Sequence, residues 1–200
     1  MKAVYNISYG LYILTAKGDK MNGCVINTLN QVTTTPNRIV IAVNKQNYTT
    51  ELIRKTKKFN VSILDEKTQF DLISHFGFQS GKDVDKFDNF SDFKLADNDI
   101  AYITKNTNAY ITASVVEEKD LGTHIMFFAD VEGDFVLSTV PSLTYAYYLQ
   151  NIKPTPKTDS KKVVHVCKIC GYVYEGDPLP DDFVCPWCKH GAVDFEKREN

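Results

Sequence analysis

Four cysteines near the C-terminus constrain this chain more than any other feature. They form two Cys-x-x-Cys pairs that are separated by the fourteen residues 171–184. This spacing lets two tight turns face each other and present four thiolates to one tetrahedral ion. A disulfide framework would need an oxidising compartment, which nothing else in the sequence indicates. The sequence therefore predicts a metal site with the ligands Cys167, Cys170, Cys185 and Cys188.

The residues around the cysteines favour iron over zinc. A turn-forming residue follows one cysteine of each pair, Gly171 in the first and Pro186 in the second. An apolar shell suits a redox centre, because burial helps to set its potential. Aromatic residues crowd the same stretch, namely Tyr172, Tyr174, Phe183 and Trp187. The alternative is a structural zinc ribbon, which would fold on its metal without transferring electrons.

The order of residues in this stretch resembles rubredoxin, a small one-iron electron carrier. The matching pattern is Cys-x-x-Cys-Gly-Tyr-x-Tyr followed by Asp-Asp-Phe-x-Cys-Pro-x-Cys, within residues 163–200. The segment between the two cysteine pairs is shorter than in free-standing rubredoxins and is similar to the short form appended to larger redox proteins. The resemblance implies one iron held by four cysteines.

Length and composition exclude several classes of function. With 200 residues, of which 43% are hydrophobic and 24% charged, the chain can form one or two domains with a sizeable core. A net charge of −2 gives no positive field for nucleic acid, and no apolar run approaches the length of a membrane span. The start lacks a signal-peptide pattern, and Cys24 makes the cysteine count odd. We therefore expect a cytoplasmic protein with no nucleic-acid or membrane partner.

The chain divides into two parts at a polar segment. Residues 151–162 contain prolines and four lysines without apolar periodicity, which is typical of a linker. The sequence thus predicts a first domain at 1–150 and a metal domain at 163–200. Short β-branched and aromatic runs with few helix signals predict a β-barrel in the first domain. They include a strand at 4–15, helices starting near Thr49 and at 70–76, and a turn at 132–134 between two strands.

A phosphate-binding role is one of two interpretations of the helix start. The first domain lacks a Gly-x-Gly-x-x-Gly motif and a phosphate loop, so a Rossmann-type dinucleotide domain is not expected. Thr49 and Thr50 at a helix start, with Lys45 nearby, are suited to binding a phosphate. The alternative is that the threonines only cap the helix.

Several short elements together resemble the flavin reductase-like FMN-binding split-barrel family. They are Gly23 … Asn27-Thr28 … Val32-Thr33 … Pro36, then Val43-Asn44-Lys45 … Tyr48-Thr49. Residues 121–128 resemble the family's Gly-x-His-x-x-Phe element, and residues 143–148 its Leu-x-Tyr … Tyr element. The resemblance spans residues 1–150. It implies a mainly β fold, a split barrel with a few short helices that binds FMN and forms a homodimer.

The resemblance also implies the site residues. Backbone atoms of residues 24–28 would line the isoalloxazine edge, and a second group would surround the ribityl chain and phosphate. The cofactor-binding set is Cys24, Val25, Ile26, Asn27, Thr28, Asn44, Lys45, Tyr48, Thr49, Thr50, Phe76, Ser80, Gly81 and Lys82. His124 is the catalytic candidate, placed to steer the nicotinamide or the flavin N1–C2 carbonyl edge. The alternatives are a half-buried strand histidine at 124, a packing cysteine at 24 and a core phenylalanine at 76.

Joining a flavin to a rubredoxin has a simple chemical logic. A nicotinamide donates two electrons as hydride, rubredoxin iron accepts one, and a flavin handles both. A tether raises the effective concentration of acceptor near donor. The arrangement resembles the high-molecular-weight rubredoxins, which relay electrons from NADH to flavodiiron-type oxygen or nitric oxide reductases. The alternatives are a carrier loaded by a separate reductase, and an FMN- or pyridoxal-phosphate-binding barrel with a zinc ribbon.

Overall fold

The computed structural model describes residues 3–154, 164–186, 188 and 190–198. The chain forms two compact units, Met1–Leu149 and Gln150–Asn200. Most of the predicted linker, residues 155–162, lies outside the described residues, as does Trp187.

The first unit consists mainly of strands. In chain order they are β1 (Tyr12–Lys17), β2 (Met21–Ile26), β3 (Leu29–Thr34), β4 (Asn37–Asn44), β5 (Lys58–Leu64), β6 (Phe93–Leu95), β7 (Ala101–Ile103), β8 (Thr107–Asp120) and β9 (His124–Val136). The helices are α1 (Tyr48–Thr56), α2 (Phe70–Gly77) and the short α3 (Tyr145–Tyr147), with a 3₁₀ turn at Ala3–Asn6 and a π turn at Tyr148–Ile152.

Strand order shows why the main sheet closes into a barrel. Seven antiparallel strands run in the order β2-β1-β5-β8-β9-β4-β3, while β6 and β7 form a separate hairpin. The edge strands β2 and β3 are joined by only Asn27 and Thr28. Six strand spacings of about 4.8 Å would hold the edges of a flat sheet roughly 29 Å apart, far beyond the reach of two residues. The sheet must therefore curl until its two edges approach each other at this connection, which confirms the predicted mainly β barrel.

The barrel interior is filled by apolar side chains from opposite parts of the sheet. Phe59 of β5 and Phe127 of β9 are fully buried there together with Ile41 of β4. Helix α1 adds Leu52 and Ile53 to the same core. Burying this apolar surface is the main source of stability of the unit, and it fixes the N-terminus of α1 beside the ends of β2 and β4.

Two details of the predicted strands are wrong. The first strand begins at Tyr12, because Ala3–Asn6 forms a 3₁₀ turn. Residues 132–134 are not a turn, since β9 runs unbroken through them and Gly133 pairs with Thr112. The register shifts between Thr112 and Ala113, so Glu132 is the extra residue of a β-bulge. A glycine in a strand fits a bulge as well as a turn.

Glu118 ties helix α1 to strand β8. Its carboxylate accepts hydrogen bonds from Arg54 Nε and Lys57 Nζ, both at 2.9 Å. The Lys57 ammonium, chiefly, holds the pKa of the Glu118 carboxyl below its usual range. A depressed carboxyl pKa stabilises the fold above the unfolded-state value and loses this contribution as the pH falls through the folded value.

We therefore expect Glu118→Gln to lower the free energy of unfolding by about 0.5–1 kcal/mol at pH 7, since the pair is partly exposed. At about pH 2, wild type and variant should converge, because the carboxylate is then protonated in the folded as well as the unfolded state. Urea unfolding of the full chain at both pH values measures this. Glu117→Gln, an exposed neighbour, is the control. An equal loss at both pH values would contradict the electrostatic explanation.

The second unit is a small three-stranded sheet. Its strands are β10 (Val164–Cys167), β11 (Val173–Tyr174) and β12 (Phe195–Arg198), in the order β11-β10-β12. Asp177 joins the sheet to the loop, accepting from Lys197 Nζ at 3.1 Å and lying 3.2 Å from His165 Nε2. In the described part of both units, no helix has the length and apolar character needed to span a membrane.

Candidate functional site

The four predicted metal ligands come together in the second unit. The Sγ atoms of Cys167, Cys170, Cys185 and Cys188 all lie within 4.8 Å of one another. The Cys167–Cys188 pair is separated by 3.5 Å and the Cys170–Cys185 pair by 3.4 Å. Metal–sulfur bonds of about 2.3 Å in a tetrahedron set sulfurs roughly 3.8 Å apart. The cluster therefore fits one tetrahedral metal ion. Four thiolate ligands favour iron or zinc at such a site.

The ionisation of the thiols agrees with a site built for a cation. Hydrogen bonds from Cys170 and then Cys188 lower the pKa of Cys167. The same contacts raise the pKa values of Cys170 and Cys188, because the thiols share protons. Four thiols this close cannot all ionise without a compensating positive charge. A bound metal supplies that charge, so all four ligands lose their protons on binding.

An aromatic cluster lies beside the cysteines, as the sequence predicts. The Phe183 ring centroid lies 4.6 Å from that of Tyr174, 6.4 Å from that of Tyr172 and 5.3 Å from that of Phe195. Phe195 is an addition that the sequence pattern did not indicate. These rings form part of the apolar surroundings that raise the cost of charge at the site.

Lys153 is a second addition in this unit. Its Nζ donates a hydrogen bond to the Lys168 carbonyl at 2.7 Å, inside the first cysteine pair. Burial lowers the pKa of Lys153, and the charges of Cys167 and Cys170 partly offset this. A cation next to thiolates favours their charged form.

In the first unit, Asn22 joins three separate groups of predicted cofactor residues. Its Nδ2 donates to Thr49 Oγ1 at 2.8 Å, which connects β2 to the first turn of α1. A Cβ on Gly81 would lie 2.1 Å from Asn22 Oδ1, so the 80–82 loop approaches closely enough to require glycine. Asn22 was not in the predicted set, because one asparagine in a strand carries no signal of these distant contacts.

Cys24 and Thr49 lie in contact inside this arrangement. Burial raises the pKa of the Cys24 thiol, partly offset by hydrogen bonds from Thr49 and Asn47. The thiol is thus protonated at neutral pH and packs as a small apolar group. Both side chains are buried, with Thr49 fully inaccessible.

The far side of the α1 N-terminus collects Asn44, Lys45 and His124. Asn44 pairs with His124 across β4 and β9, and the Asn44 carbonyl accepts from Thr50 Oγ1 at 2.7 Å. His124 is half-buried, and its Nδ1 lies 2.9 Å from Thr123 Oγ1. The predicted catalytic candidate therefore lies next to part of the predicted cofactor set.

The two predicted cationic residues are engaged with acids at the surface. Lys45 Nζ pairs with Asp120 at 2.6 Å, and Lys82 forms an ion pair with Glu51. Glu51 occupies the first turn of α1. In the described part of the chain, the side chain of Asn47, the residue that precedes the helix, makes no capping hydrogen bond. The helix N-terminus and Lys82 thus come close together, an arrangement that suits an anion.

The remaining predicted residues lie around the same region. Val25 and Ile26 end β2, Asn27 and Thr28 form the closure of the barrel, and the Lys20 ammonium lies 5.4 Å from the Tyr48 ring centre. Phe76 of α2 packs against Gly23, where a Cβ would lie 3.0 Å from its ring. Ser80 immediately precedes Gly81, the residue that approaches Asn22. The fold thus gathers the predicted cofactor residues around β2, the barrel closure and the α1 N-terminus.

Comparison with protein families finds a known domain in each unit. Residues 4–155 match the model described as flavin reductase like domain, and residues 165–196 match the rubrerythrin, rubredoxin-like domain. These matches confirm the predicted oxidoreductase with a flavin-binding barrel and a four-cysteine iron centre.

Individual relatives cover either the whole chain or the barrel. The high molecular weight rubredoxin of Moorella thermoacetica is 38% identical over 98% of both chains. A ferric-chelate reductase (NAD(P)H) of Archaeoglobus fulgidus is 36% identical over 79% of this chain and 94% of its own. The solved NADH:FAD oxidoreductase SgcE6 of Streptomyces globisporus shares the fold, with a TM-score of 0.65, 20% identity, and coverage of 78% of this chain and 92% of that one. The chain belongs to the flavin reductase-like domain family and carries a rubredoxin-like domain at its C-terminus.

Proposed function

We propose that the chain takes electrons from NAD(P)H, passes them through FMN in the barrel to its own iron centre, and delivers them to a separate redox protein. The observation that carries this proposal is the presence of a flavin reductase-type barrel and a four-thiolate cluster in one 200-residue chain. The match to one relative spans 98% of both chains, so it includes both units. The flavin supplies the conversion from a two-electron donor to a one-electron acceptor.

The barrel residues would act by binding and orienting. Backbone groups of residues 24–28 would line the ring at the barrel closure. The α1 N-terminus, Thr50 and Lys82 would hold the phosphate. Support comes from the ion pair of Lys82 with Glu51, which follows Thr50 in the first turn of α1. His124 would orient the nicotinamide, since it lies opposite Asn44 at the end of β9.

The acceptor would contact the metal unit. Val184, which precedes the ligand Cys185, is 55% exposed and Val193 is 83% exposed. Exposed apolar side chains at a metal centre suit transient contact with another redox protein. We infer a flavodiiron-type acceptor, a homodimeric barrel and a cytoplasmic location, where thiolate ligands stay reduced.

Anaerobic addition of NADH to the as-purified protein tests the proposal. The flavin absorption should bleach, and the iron–thiolate absorption should disappear on the same time course. Colour that persists until another reductase is added would favour the carrier alternative. Zinc in place of iron in protein from its native host would favour the zinc-ribbon alternative. NADPH in a parallel cuvette establishes the preferred donor.

A further inference from the structure

A buried lysine lies next to the predicted flavin residues. Lys86 is only 2% exposed, although lysine is almost never buried without partners. It follows the 80–82 loop in a segment rich in acidic residues, where the sequence suggests an ordinary surface lysine. Burial lowers the pKa of Lys86 to about 8, so the side chain remains mostly charged at pH 7.

The Lys86 ammonium connects two elements of the barrel unit. Its Nζ donates to the Gly23 carbonyl at 2.9 Å and to the Phe76 carbonyl at 2.8 Å. Gly23 immediately precedes the residues 24–28 that are proposed to line the flavin ring, and Phe76 belongs to the proposed cofactor set. The ammonium therefore links β2 to α2 from within the structure.

Further contacts hold the lysine in this position. His75 Nε2 donates to the Lys86 carbonyl at 2.7 Å, and the His75 ring stacks on Phe90 with centroids 5.1 Å apart. Phe87 packs edge-on against Phe76 at 5.6 Å. Desolvating an ammonium is costly, and these contacts fix both ends of the residue. A neutral apolar side chain here would leave the Gly23 and Phe76 carbonyls without this donor.

We propose that Lys86 is a positioning residue that clamps β2 to α2 and also supplies a buried positive charge beside the segment proposed to line the flavin ring. This rests on the proposed function. A reduced flavin carries more negative charge than an oxidised one, and charge near its ring tunes its potential. Lys86 would thus favour the reduced cofactor without touching the substrate.

Binding constants for the two oxidation states separate the two roles. Loss of the clamp weakens oxidised and reduced FMN equally, whereas loss of the charge weakens the reduced form more. For Lys86→Met at pH 7, we expect the Kd of oxidised FMN to rise about threefold and that of reduced FMN about thirtyfold. Lys86→Arg, which keeps the charge, should leave the ratio of the two constants close to that of wild type.

Controls make each outcome decisive. Lys94→Met removes an exposed lysine of the same unit and should change neither constant. If circular dichroism shows that Lys86→Met does not fold, Lys86→Gln makes the same comparison, because its amide still donates a hydrogen bond. Equal weakening of oxidised and reduced FMN binding, or no weakening of either, would overturn the inference about Lys86. Wild-type FMN binding would in that case still support the proposed function. Wild type that binds no FMN would overturn both.

Discussion

Cys185→Ser is expected to destroy the iron centre while leaving the flavin in the barrel. Cys185 is fully buried, and its Sγ is 3.4 Å from that of Cys170. A serine hydroxyl is a far weaker ligand than a thiolate. Loss of an outer-shell partner already costs roughly 10–100-fold in metal affinity, so loss of a ligand should cost more. Because metal affinity is folding free energy in such small units, the second unit should also lose stability.

Metal analysis, the visible spectrum and a chelator challenge measure this expectation. The variant should release iron to a chelator at concentrations that leave wild type intact, and any residual absorption should be shifted. The flavin-to-protein ratio should match that of wild type, because the cysteines and the barrel belong to different units. Asp182→Asn, an exposed change in the same unit, controls for expression and handling. Simultaneous loss of iron and flavin would show that the units do not hold their cofactors independently.

Lys82→Glu is expected to release FMN but not riboflavin. Lys82 neutralises Glu51 in the first turn of α1, so the substitution places two acids where the phosphate is proposed to bind. Reversing a charge near a phosphate dianion should raise the Kd of FMN by roughly thirtyfold. Riboflavin has no phosphate, and its Kd should change less than threefold. Thr49 is a poorer position for this test, because a buried glutamate there would also unfold the barrel.

Fluorescence titration of the two flavins provides the measurement. Lys55→Glu makes the same charge change in the last turn of the same helix, where Lys55 lies 3.4 Å from Asp19, and it should affect neither flavin. An equal loss of FMN and riboflavin affinity would indicate a structural effect. Unchanged FMN affinity would move the phosphate to another part of the barrel.

The metal site was largely predictable because its ligands are local. Each Cys-x-x-Cys pair forms within one tight turn, so the spacing almost dictates which sulfurs can meet. The β-rich character of residues 1–150 was also predictable, since strand-forming runs alternate with turn signals. The bulge at Glu132 could not be predicted, because a glycine between two apolar runs fits a turn as well as a bulge.

What the sequence determined is the set of elements and the four-cysteine site, which depend on neighbours along the chain. What only the tertiary structure decided is which distant residues meet. Asn22 reaches Thr49, and Lys86 reaches Gly23, because curling the sheet brings its edges together beside α1 and α2. Such contacts span tens of residues, and their geometry depends on the packing of the whole core, which no local pattern encodes.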